Sequence, residues 1–323
     1  MRTVRFLVTG AAGFIGAHFM RSFLREDREF VLVDRLNYAG SLQRLHGLSM
    51  GRNVTFLYHD LRAPLTDFMV ANIGQVDYVV HMAAETHVDR SLTDPLPFLE
   101  SNVVGTYNML EYCRRHQRSL TAFYYVSTDE VYGPAPDGID HDEDQPHRPS
   151  NPYSAMKAAA EDLCYAWEHS MGVPVVITNT MNNIGEMQHP EKFVPKCIAA
   201  LFEKQVITVH GTPDDPGSRK YLYAWDHADA LAFLMEHGRR GERYNVVGTE
   251  EISNLDMVRR LERITGLEAR IKFVDFHSTR PGHDKRYSLD GGRMAGMGWT
   301  PTAAIDDVLR GMCAFYLARE DWR

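Results

Sequence analysis

Short apolar runs alternate with longer amphipathic segments through the first 180 residues of the chain. The apolar runs lie at 4–9, 30–33, 54–58, 78–81, 122–126 and 175–178. The segments between them predict helices at 14–26, 41–48, 64–73, 97–117 and 153–171. Runs of mostly apolar residues suit strands that are buried on both faces. The alternation therefore predicts an α/β fold of Rossmann type, a doubly wound parallel sheet covered by helices on both sides.

Beyond residue 180 the alternation becomes irregular. The pattern there predicts helices at 191–204, 226–237, 253–265 and 304–319, with short strands near 206–209, 243–246 and 270–274. We therefore predict two parts: a Rossmann domain at 1–180 that carries the catalytic residues, and a smaller mixed α/β part at 181–323 that binds substrate. The chain could cross back between them. Stretches rich in Pro, Gly and Asp at 133–149 and 211–217 predict exposed loops.

Composition places the chain among ordinary globular proteins. It has 323 residues, with 35 Lys and Arg against 43 Asp and Glu, a formal net charge of −8 and 44% hydrophobic residues. These values exclude a collagen, a coiled coil and a long disordered chain, and the acidic balance argues against nucleic-acid binding. No apolar stretch approaches the length of a membrane span and no signal peptide is evident. Four cysteines without a CxxC pair predict a reducing, cytoplasmic location, and no histidine spacing indicates a metal site.

A glycine loop joins the first predicted strand to the first predicted helix. Residues 10–16 read GAAGFIG, and such a loop lets the backbone approach a pyrophosphate at a helix N-terminus. The second strand ends at Asp34, whose carboxylate can accept hydrogen bonds from an adenosine ribose and would repel a 2′-phosphate. We therefore expect NAD rather than NADP, although the neighbouring Arg35 could pair with such a phosphate.

A tyrosine and a lysine four residues apart form the candidate catalytic pair. Residues 153–157 read YSAMK, so Tyr153 and Lys157 would stack on one face of a helix that starts after Asn151 and Pro152. A nearby ammonium stabilises a phenolate, so we expect Lys157 to lower the pKa of Tyr153 and let it remove a hydroxyl proton. The strand before this helix ends in STDEVYG at 127–133, which adds two carboxyl groups.

With these motifs the chain resembles the dTDP-glucose 4,6-dehydratase family, within the extended short-chain dehydrogenase/reductase superfamily. The resemblance covers nearly the whole chain, and its most specific element is Thr128-Asp129-Glu130, because related epimerases and decarboxylases generally lack the Asp-Glu pair. The matching segments are VDRLNYAG at 33–40, HMAAETHVDRS at 81–91, STDEVYG at 127–133, TN at 178–179, NN at 182–183, PEK at 190–192 and RPGHD at 280–284.

The resemblance implies conversion of an NDP-glucose to its 4-keto-6-deoxy derivative. C4 is oxidised, water is eliminated across C5 and C6, and the hydride returns to C6, so a tightly bound NAD ends as it began. By the same resemblance Tyr153 takes the C4 hydroxyl proton and Thr128 hydrogen-bonds that oxygen. Lys157 holds the nicotinamide ribose, Glu130 is the base at C5, and Asp129 is the acid at C6. Paired carboxyl groups with different pKa values can divide such work.

The resemblance also implies the remaining binding residues and a homodimer. The dimer would form a four-helix bundle from the helices near 97–117 and 153–171. The cofactor-binding residues implied are Gly10, Gly13, Phe14, Ile15, Gly16, Asp34, Asp60, Leu61, Ala83, Ala84, Tyr153 and Lys157. The substrate-binding residues implied are Glu85, Asn182, Glu191, Lys192, His210, Arg219, Asn254, Arg280 and His283.

Two departures from the family pattern leave the nucleotide base open. His210 stands where the family commonly has a tyrosine that stacks on thymine, and Lys220 replaces an Asp after the phosphate-binding arginine. The substrate could therefore carry dTDP, UDP or, less often, GDP or CDP. Two alternatives to dehydration also remain: a nucleotide-sugar 4-epimerase or uronate decarboxylase, which shares Tyr153, Lys157 and NAD, and a non-catalytic NAD-binding protein. Neither alternative needs the carboxyl pair at 129–130.

Overall fold

A seven-stranded parallel sheet forms the centre of the larger part of the molecule. The computed structural model describes residues 3–48, 53–275 and 284–322. The strands lie in the order β10-β6-β5-β4-β1-β2-β3, and every pairing is parallel. Their bounds are β1 Val4–Thr9, β2 Arg28–Asp34, β3 Val54–Tyr58, β4 Tyr78–His81, β5 Ala122–Thr128, β6 Val175–Thr180 and β10 Arg243–Val246. This order has a crevice at the carboxyl ends of the strands, where β1 and β4 diverge to opposite halves of the sheet.

Helices cover both faces of this sheet. They are α1 Phe14–Phe23, α2 Asp67–Ile73, α3 Val88–Thr93, α4 Leu96–Phe98, a π-helical segment Leu99–Val104, α5 Gly105–His116, α6 Pro152–Met171 and α8 Ala224–His237. The double burial is visible along β1. Phe6 packs in a core with Phe19 of α1, whereas the next residue, Leu7, packs in a second core with Met109 of α5. Successive side chains of a strand point to opposite faces, so an unbroken apolar strand needs helices on both sides.

The smaller part contains short strands and a third apolar core. Its elements are β7 Asn182–Ile184, α7 Phe193–Phe202, β8 Val206–His210, β9 Ser218–Tyr223, β11 Glu251–Ser253, α9 Asn254–Thr265, β12 Arg270–Val274, β13 Arg286–Tyr287, α10 Gly292–Met297 and α11 Ile305–Ala318. Strand β9 pairs with β7, β11 and β13, and β12 pairs with β8. Helices α7, α9 and α11 pack their apolar faces together in that core. The 3-10 helices are Leu42–Leu45, Asp129–Tyr132 and Glu320–Trp322.

The predicted Rossmann-type fold is confirmed, with several local differences. The predicted division at residue 180 stays a prediction, and β10 crosses back to pair with β6 in the large sheet. The helix expected over 97–117 contains the π segment, and the one expected over 41–48 is a short 3-10 helix. The loop over 133–149 is not wholly exposed, because Glu143 is buried and its Oε1 accepts from the backbone N–H of Asn245 at 2.9 Å.

Candidate active site

A cavity of about 970 Å³ lies at the carboxyl ends of the strands of the large sheet. It brings together most of the residues that the sequence indicated. Those on its wall are Gly10, Gly13, Phe14, Ile15, Gly16, Asp34, Asp60, Leu61, Ala83, Ala84, Thr128, Asp129, Glu130, Tyr153, Lys157, Asn182, Glu191, Lys192, His210, Arg219 and Asn254. Glu85 is not on this wall, and Arg280 and His283 lie outside the described residues.

The glycine loop at the start of α1 has no room for side chains. Gly10 has φ +72°, and a Cβ there would lie 2.6 Å from the backbone nitrogen of Ala83. A Cβ on Gly16 would lie 2.3 Å from the carbonyl oxygen of Gly10. Helix α1 begins after Gly13 with no side chain capping its first turn. Uncapped N–H groups at a helix N-terminus suit an anionic ligand such as a pyrophosphate.

The carboxylate of Asp34 is held in place at the end of β2. Its Oδ2 accepts from the backbone N–H of Ala12 at 3.0 Å and its Oδ1 from that of Leu36 at 2.8 Å. Burial raises the pKa of Asp34, and these two backbone bonds oppose that shift. Each oxygen keeps a second lone pair, so the carboxylate can also accept hydrogen bonds from a ribose.

Arg35 is paired with two carboxylates, and one of them is Glu85, which explains why the Glu85 side chain is not on the cavity wall. One guanidinium nitrogen lies 3.1 Å from Asp60 Oδ2, and another donates to Glu85 Oε1. Asn37 also donates to Glu85 Oε1, at 2.8 Å. The carboxylate of Glu85 is thus turned to Arg35 and Asn37, and its contact with the substrate stays a prediction. The guanidinium that could have attracted a 2′-phosphate is neutralised in the same way.

Two hydroxyl groups add polar positions to the cofactor side of the cavity. Ser101 of the π segment and Ser127 of β5 line the cavity, and within the described part of the chain their buried Oγ atoms have no hydrogen-bond partner. Buried polar atoms are rarely left unpaired in a protein. Together with the glycine loop and Asp34, these hydroxyls fit the donors and acceptors of NAD. Neither serine was predicted, since an isolated serine gives no sequence signal.

The turn after β5 places a buried acid beside a half-buried carboxylate. Thr128 Oγ1 donates to Asp129 Oδ1 at 2.9 Å, and the backbone N–H of Glu130 lies 3.4 Å from the same hydroxyl. Asp129 is 2% exposed, and its Oδ2 has no partner among the described residues. Burial, followed by the charge of Glu130, raises the pKa of Asp129 to about 7. Asp129 can therefore carry a proton at neutral pH and donate it inside the cavity.

Helix α6 brings the tyrosine and the lysine into the same cavity. Burial, then the charge of Glu130, raises the pKa of Tyr153 above its ordinary value. Lys157 Nζ donates to the carbonyl oxygen of Val126 at 2.8 Å and lies 4.2 Å from the centre of the Tyr125 ring. Burial lowers the pKa of Lys157 to about 8. The expectation that Lys157 lowers the pKa of Tyr153 is thus not met in this structure, because the ammonium is directed at other groups and burial dominates at the phenol.

The far side of the cavity contains the residues expected to hold the substrate. Arg219 donates to the carbonyl oxygens of Asp284 and Lys285 at 2.6 Å each. Its guanidinium lies 4.7 Å from the centre of the Tyr287 ring, which is also on the wall. Sequence reasoning missed Tyr287. The signal that could have found it is its place three residues after the RPGHD segment, although only the pairing of β13 with β9 sets it beside Arg219.

At the rim, Glu191 joins three segments of the chain. Tyr38 donates to Glu191 Oε1 at 3.3 Å, and a guanidinium nitrogen of Arg90 lies 3.4 Å from Oε2. Lys192 Nζ donates to the carbonyl oxygen of Thr86 at 3.1 Å. These contacts close the rim between the loop after β2 and the start of α7.

The described residues contain no cluster of three or more His, Cys, Asp or Glu side chains that could hold a metal ion. Within the same residues no helix is long and apolar enough to cross a membrane. The candidate catalytic and binding side chains instead line the cavity at the carboxyl ends of the strands.

Comparison with known proteins extends these observations. A family model described as GDP-mannose 4,6 dehydratase matches residues 7–312. A probable dTDP-glucose 4,6-dehydratase from Sinorhizobium fredii is 39% identical over 336 residues, which cover 99% of this chain and 94% of that one. The structure of the dTDP-glucose 4,6-dehydratase DesIV from Streptomyces venezuelae, with NAD and TYD bound, is 33% identical, covers 99% of each chain and has a TM-score of 0.90. UDP-glucuronic acid 4-epimerase from Bacillus cereus, in complex with UDP-glucuronic acid and NAD, is 26% identical with a TM-score of 0.88, covering 98% of this chain and 99% of that one.

Proposed function

Because the chain belongs to the dTDP-glucose 4,6-dehydratase family, we propose that dTDP-glucose is its substrate. The chain is an NAD-dependent nucleotide-sugar 4,6-dehydratase. The observation that favours dehydration over epimerisation is the pair of carboxyl groups of Asp129 and Glu130. Asp129 is buried with a pKa of about 7 beside Glu130, which lines the same cavity. Epimerisation at C4 needs no acid and base for C5 and C6.

We assign the binding of NAD to the glycine loop, Asp34 and Lys157. When bound, NAD accepts the hydride from C4 of the hexose and returns it to C6. Tyr153 takes the proton of the C4 hydroxyl, and Thr128 hydrogen-bonds that oxygen. The pKa of Tyr153 favours the phenol, so we expect its proton to leave only when the positive charge of the oxidised nicotinamide is bound in the same cavity.

The carboxyl pair performs the elimination in this proposal. Once C4 is a ketone, the C5 proton is acidic, and the Glu130 carboxylate removes it. The C6–O bond breaks as Asp129 protonates the departing hydroxyl, so one water leaves and a double bond joins C5 and C6. When the hydride returns to C6, the protonated Glu130 gives its proton back to C5. Supporting these roles, the two side chains are adjacent on the cavity wall and only Asp129 is fully buried. Burial favours the neutral acid, and the half-buried Glu130 keeps access to water.

The substrate assignment is tested by supplying the protein with dTDP-, UDP-, GDP- and CDP-glucose in separate reactions without added cofactor. We expect dTDP-glucose to give a sugar nucleotide one water lighter, at the highest kcat/KM of the four. Asp129→Asn is the matched control, which should bind the substrate and form little product. A product of unchanged mass would support an epimerase. A higher kcat/KM for UDP-, GDP- or CDP-glucose would contradict the assignment of dTDP-glucose as the substrate.

We also propose a homodimer in which α5 and α6 pack against the same helices of a second copy. Leu96, Leu99, Val104 and Tyr107 are 37% to 56% exposed along α4, the π segment and α5. Exposed apolar side chains in such a row mark an interaction surface. Light scattering should give twice the monomer mass of 36.8 kDa, and Leu99→Glu should give the monomer. A wild-type monomer at micromolar concentration would contradict the proposal.

A cytoplasmic location is proposed as well. The four cysteines are buried as free thiols, which suits a reducing compartment. Nucleotide sugars are also charged molecules that do not cross a membrane unaided. Cell fractionation should recover the protein with the soluble cytoplasmic contents, and recovery with the membrane or the culture medium would contradict this.

A further inference from the structure

The side chain of Asn151 connects the start of α6 to Glu130. Its Oδ1 accepts from the backbone N–H of Ser154 at 2.9 Å, while Ser154 Oγ lies 3.2 Å from the backbone nitrogen of Asn151. These two bonds form the capping box of the helix that carries Tyr153 and Lys157. The other end of the amide, Nδ2, donates to Glu130 Oε2 at 3.1 Å across 21 positions of sequence. One side chain therefore joins the helix to the carboxylate after β5.

The bond to Glu130 is not needed for capping. Ser and Asp cap a helix as well as Asn does, because each offers a side-chain oxygen to the first turn. Only Asn adds an N–H donor at this position. Asn151 is 5% exposed and is not on the cavity wall, whereas Glu130 is. The amide therefore meets Glu130 from outside the cavity wall, in addition to capping the helix that carries Tyr153.

We propose that Asn151 is a positioning residue for the elimination step, holding the carboxylate of Glu130 in one orientation toward the cavity. The inference rests on the proposed function, in which Glu130 removes the C5 proton. Among the described residues no other group donates a hydrogen bond to the Glu130 side chain. A glutamate has several freely rotating bonds, and a base must lie within hydrogen-bond reach of its proton. A charge-assisted bond from a buried amide restricts that freedom.

The position of Glu130 matters for its neighbours as well. Its charge is the largest electrostatic contribution to the raised pKa of both Asp129 and Tyr153. If the Glu130 carboxylate moved away, C5 would lose its base and the pKa of Asp129 would fall, so less of the C6 acid would be protonated. At Tyr153 the same loss of charge would lower the pKa of the phenol, which does not hinder removal of the C4 hydroxyl proton. The elimination should therefore depend on Asn151 more than the oxidation at C4 does.

The test compares Asn151→Ser and Asn151→Asp with Ser154→Ala. The first two keep the cap and remove the donor, and Asp also places a second carboxylate beside Glu130. Ser154→Ala weakens the capping box and leaves the bond to Glu130. In single-turnover mixing with dTDP-glucose, the absorbance of the reduced nicotinamide reports oxidation when it rises and elimination with hydride return when it decays. Thermal unfolding of each variant reports whether the helix start is intact.

For Asn151→Ser we expect decay of that signal to slow about 10-fold, with its rise within about 2-fold of wild type. For Asn151→Asp the decay should slow about 100-fold, because like charges repel at this distance. Ser154→Ala should decay at the wild-type rate even if its Tm falls. In a Glu130→Gln background, Asn151→Ser should have no further effect, since the two residues act as one unit.

Equal decay rates in Asn151→Ser and wild type would overturn the inference while leaving the proposed function in place. The inference would also fall if Ser154→Ala slowed decay as much as Asn151→Ser, because the helix start would then be what matters. If the wild-type protein formed no dehydrated sugar, the proposed function would fail and the inference with it.

Discussion

Asp129→Asn should make the protein less active, and its stability relative to wild type should rise as the pH rises toward neutrality. Asp129 has a pKa of about 7 in the folded protein against an ordinary value of 3.8. The folded state therefore keeps a proton that the unfolded state has already released, and the stability of the wild type falls as pH rises between those two values. Each pH unit of that interval is worth about 1.4 kcal/mol. From pH 5 to pH 8 the wild type should lose about 3 kcal/mol from this group alone, and the loss is complete just above pH 7.

The asparagine variant does not titrate, so it should lack this loss. Urea unfolding of both proteins at pH 5 and pH 8 isolates the effect, because any fixed cost of the buried amide is the same at both values and cancels in the difference. The free energy of unfolding of Asp129→Asn relative to wild type should rise by about 3 kcal/mol between the two pH values. Asp137→Asn, which removes an exposed carboxylate in the following loop, is the control and should show no such rise.

The same substitution should slow elimination by about 100-fold to 10,000-fold, which is the range of general acid catalysis. Quenched reactions analysed by mass spectrometry give this rate directly. A variant that dehydrated dTDP-glucose at the wild-type rate would refute the role of the acid. A stability difference independent of pH would refute the raised pKa, and with it the reason that Asp129 carries a proton at neutral pH.

Three further predictions concern the binding of the cofactor and of the nucleotide base of the substrate. Lys157→Met should lower the NAD content of the purified protein. Because burial lowers the pKa of Lys157 to about 8, the folded state disfavours the ammonium below that value, so the free energy of unfolding of the variant relative to wild type should be about 3 kcal/mol higher at pH 7 than at pH 10. An equal difference from wild type at both pH values would contradict this. Asp34→Ser should weaken NAD binding about 10-fold in calorimetry without admitting NADP, because Arg35 stays paired with Asp60; a variant that preferred NADP would show that pair to be weak. His210→Tyr should tighten dTDP-glucose binding about 5-fold by enlarging the surface for stacking, and weaker binding would place the base elsewhere.

The large sheet and most of the cavity wall were predictable because their signals are local in sequence. Unbroken apolar strands such as β1 indicate burial on both faces, and parallel strands bring their carboxyl ends to one edge. The glycine loop, the carboxyl pair at 129–130 and the pair Tyr153 and Lys157 each follow one of these strands or begin one of these helices. Topology alone then collects them in one place.

The orientations of individual side chains were less predictable, because they depend on contacts that form after folding. Glu85 follows β4 as the pattern requires, but its carboxylate pairs with Arg35 and leaves the cavity wall. Lys157 lies one helical turn from Tyr153 as predicted, yet its ammonium is turned to the carbonyl oxygen of Val126. Tyr287 enters the wall through pairing between two short strands that have no periodic pattern of their own. The hydrophobic periodicity of the sequence predicts helices and strands, but it does not predict which partner a polar side chain will contact.

The most direct test of the account uses dTDP-glucose that carries deuterium at C4, incubated with the protein and no added cofactor. If the carboxyl pair expels water from C5 and C6 after oxidation at C4, the product is a 4-keto sugar one water lighter, with the deuterium on the C6 methyl group. Recovery of a C4 epimer of unchanged mass, or of a dehydrated sugar without deuterium at C6, would contradict the account.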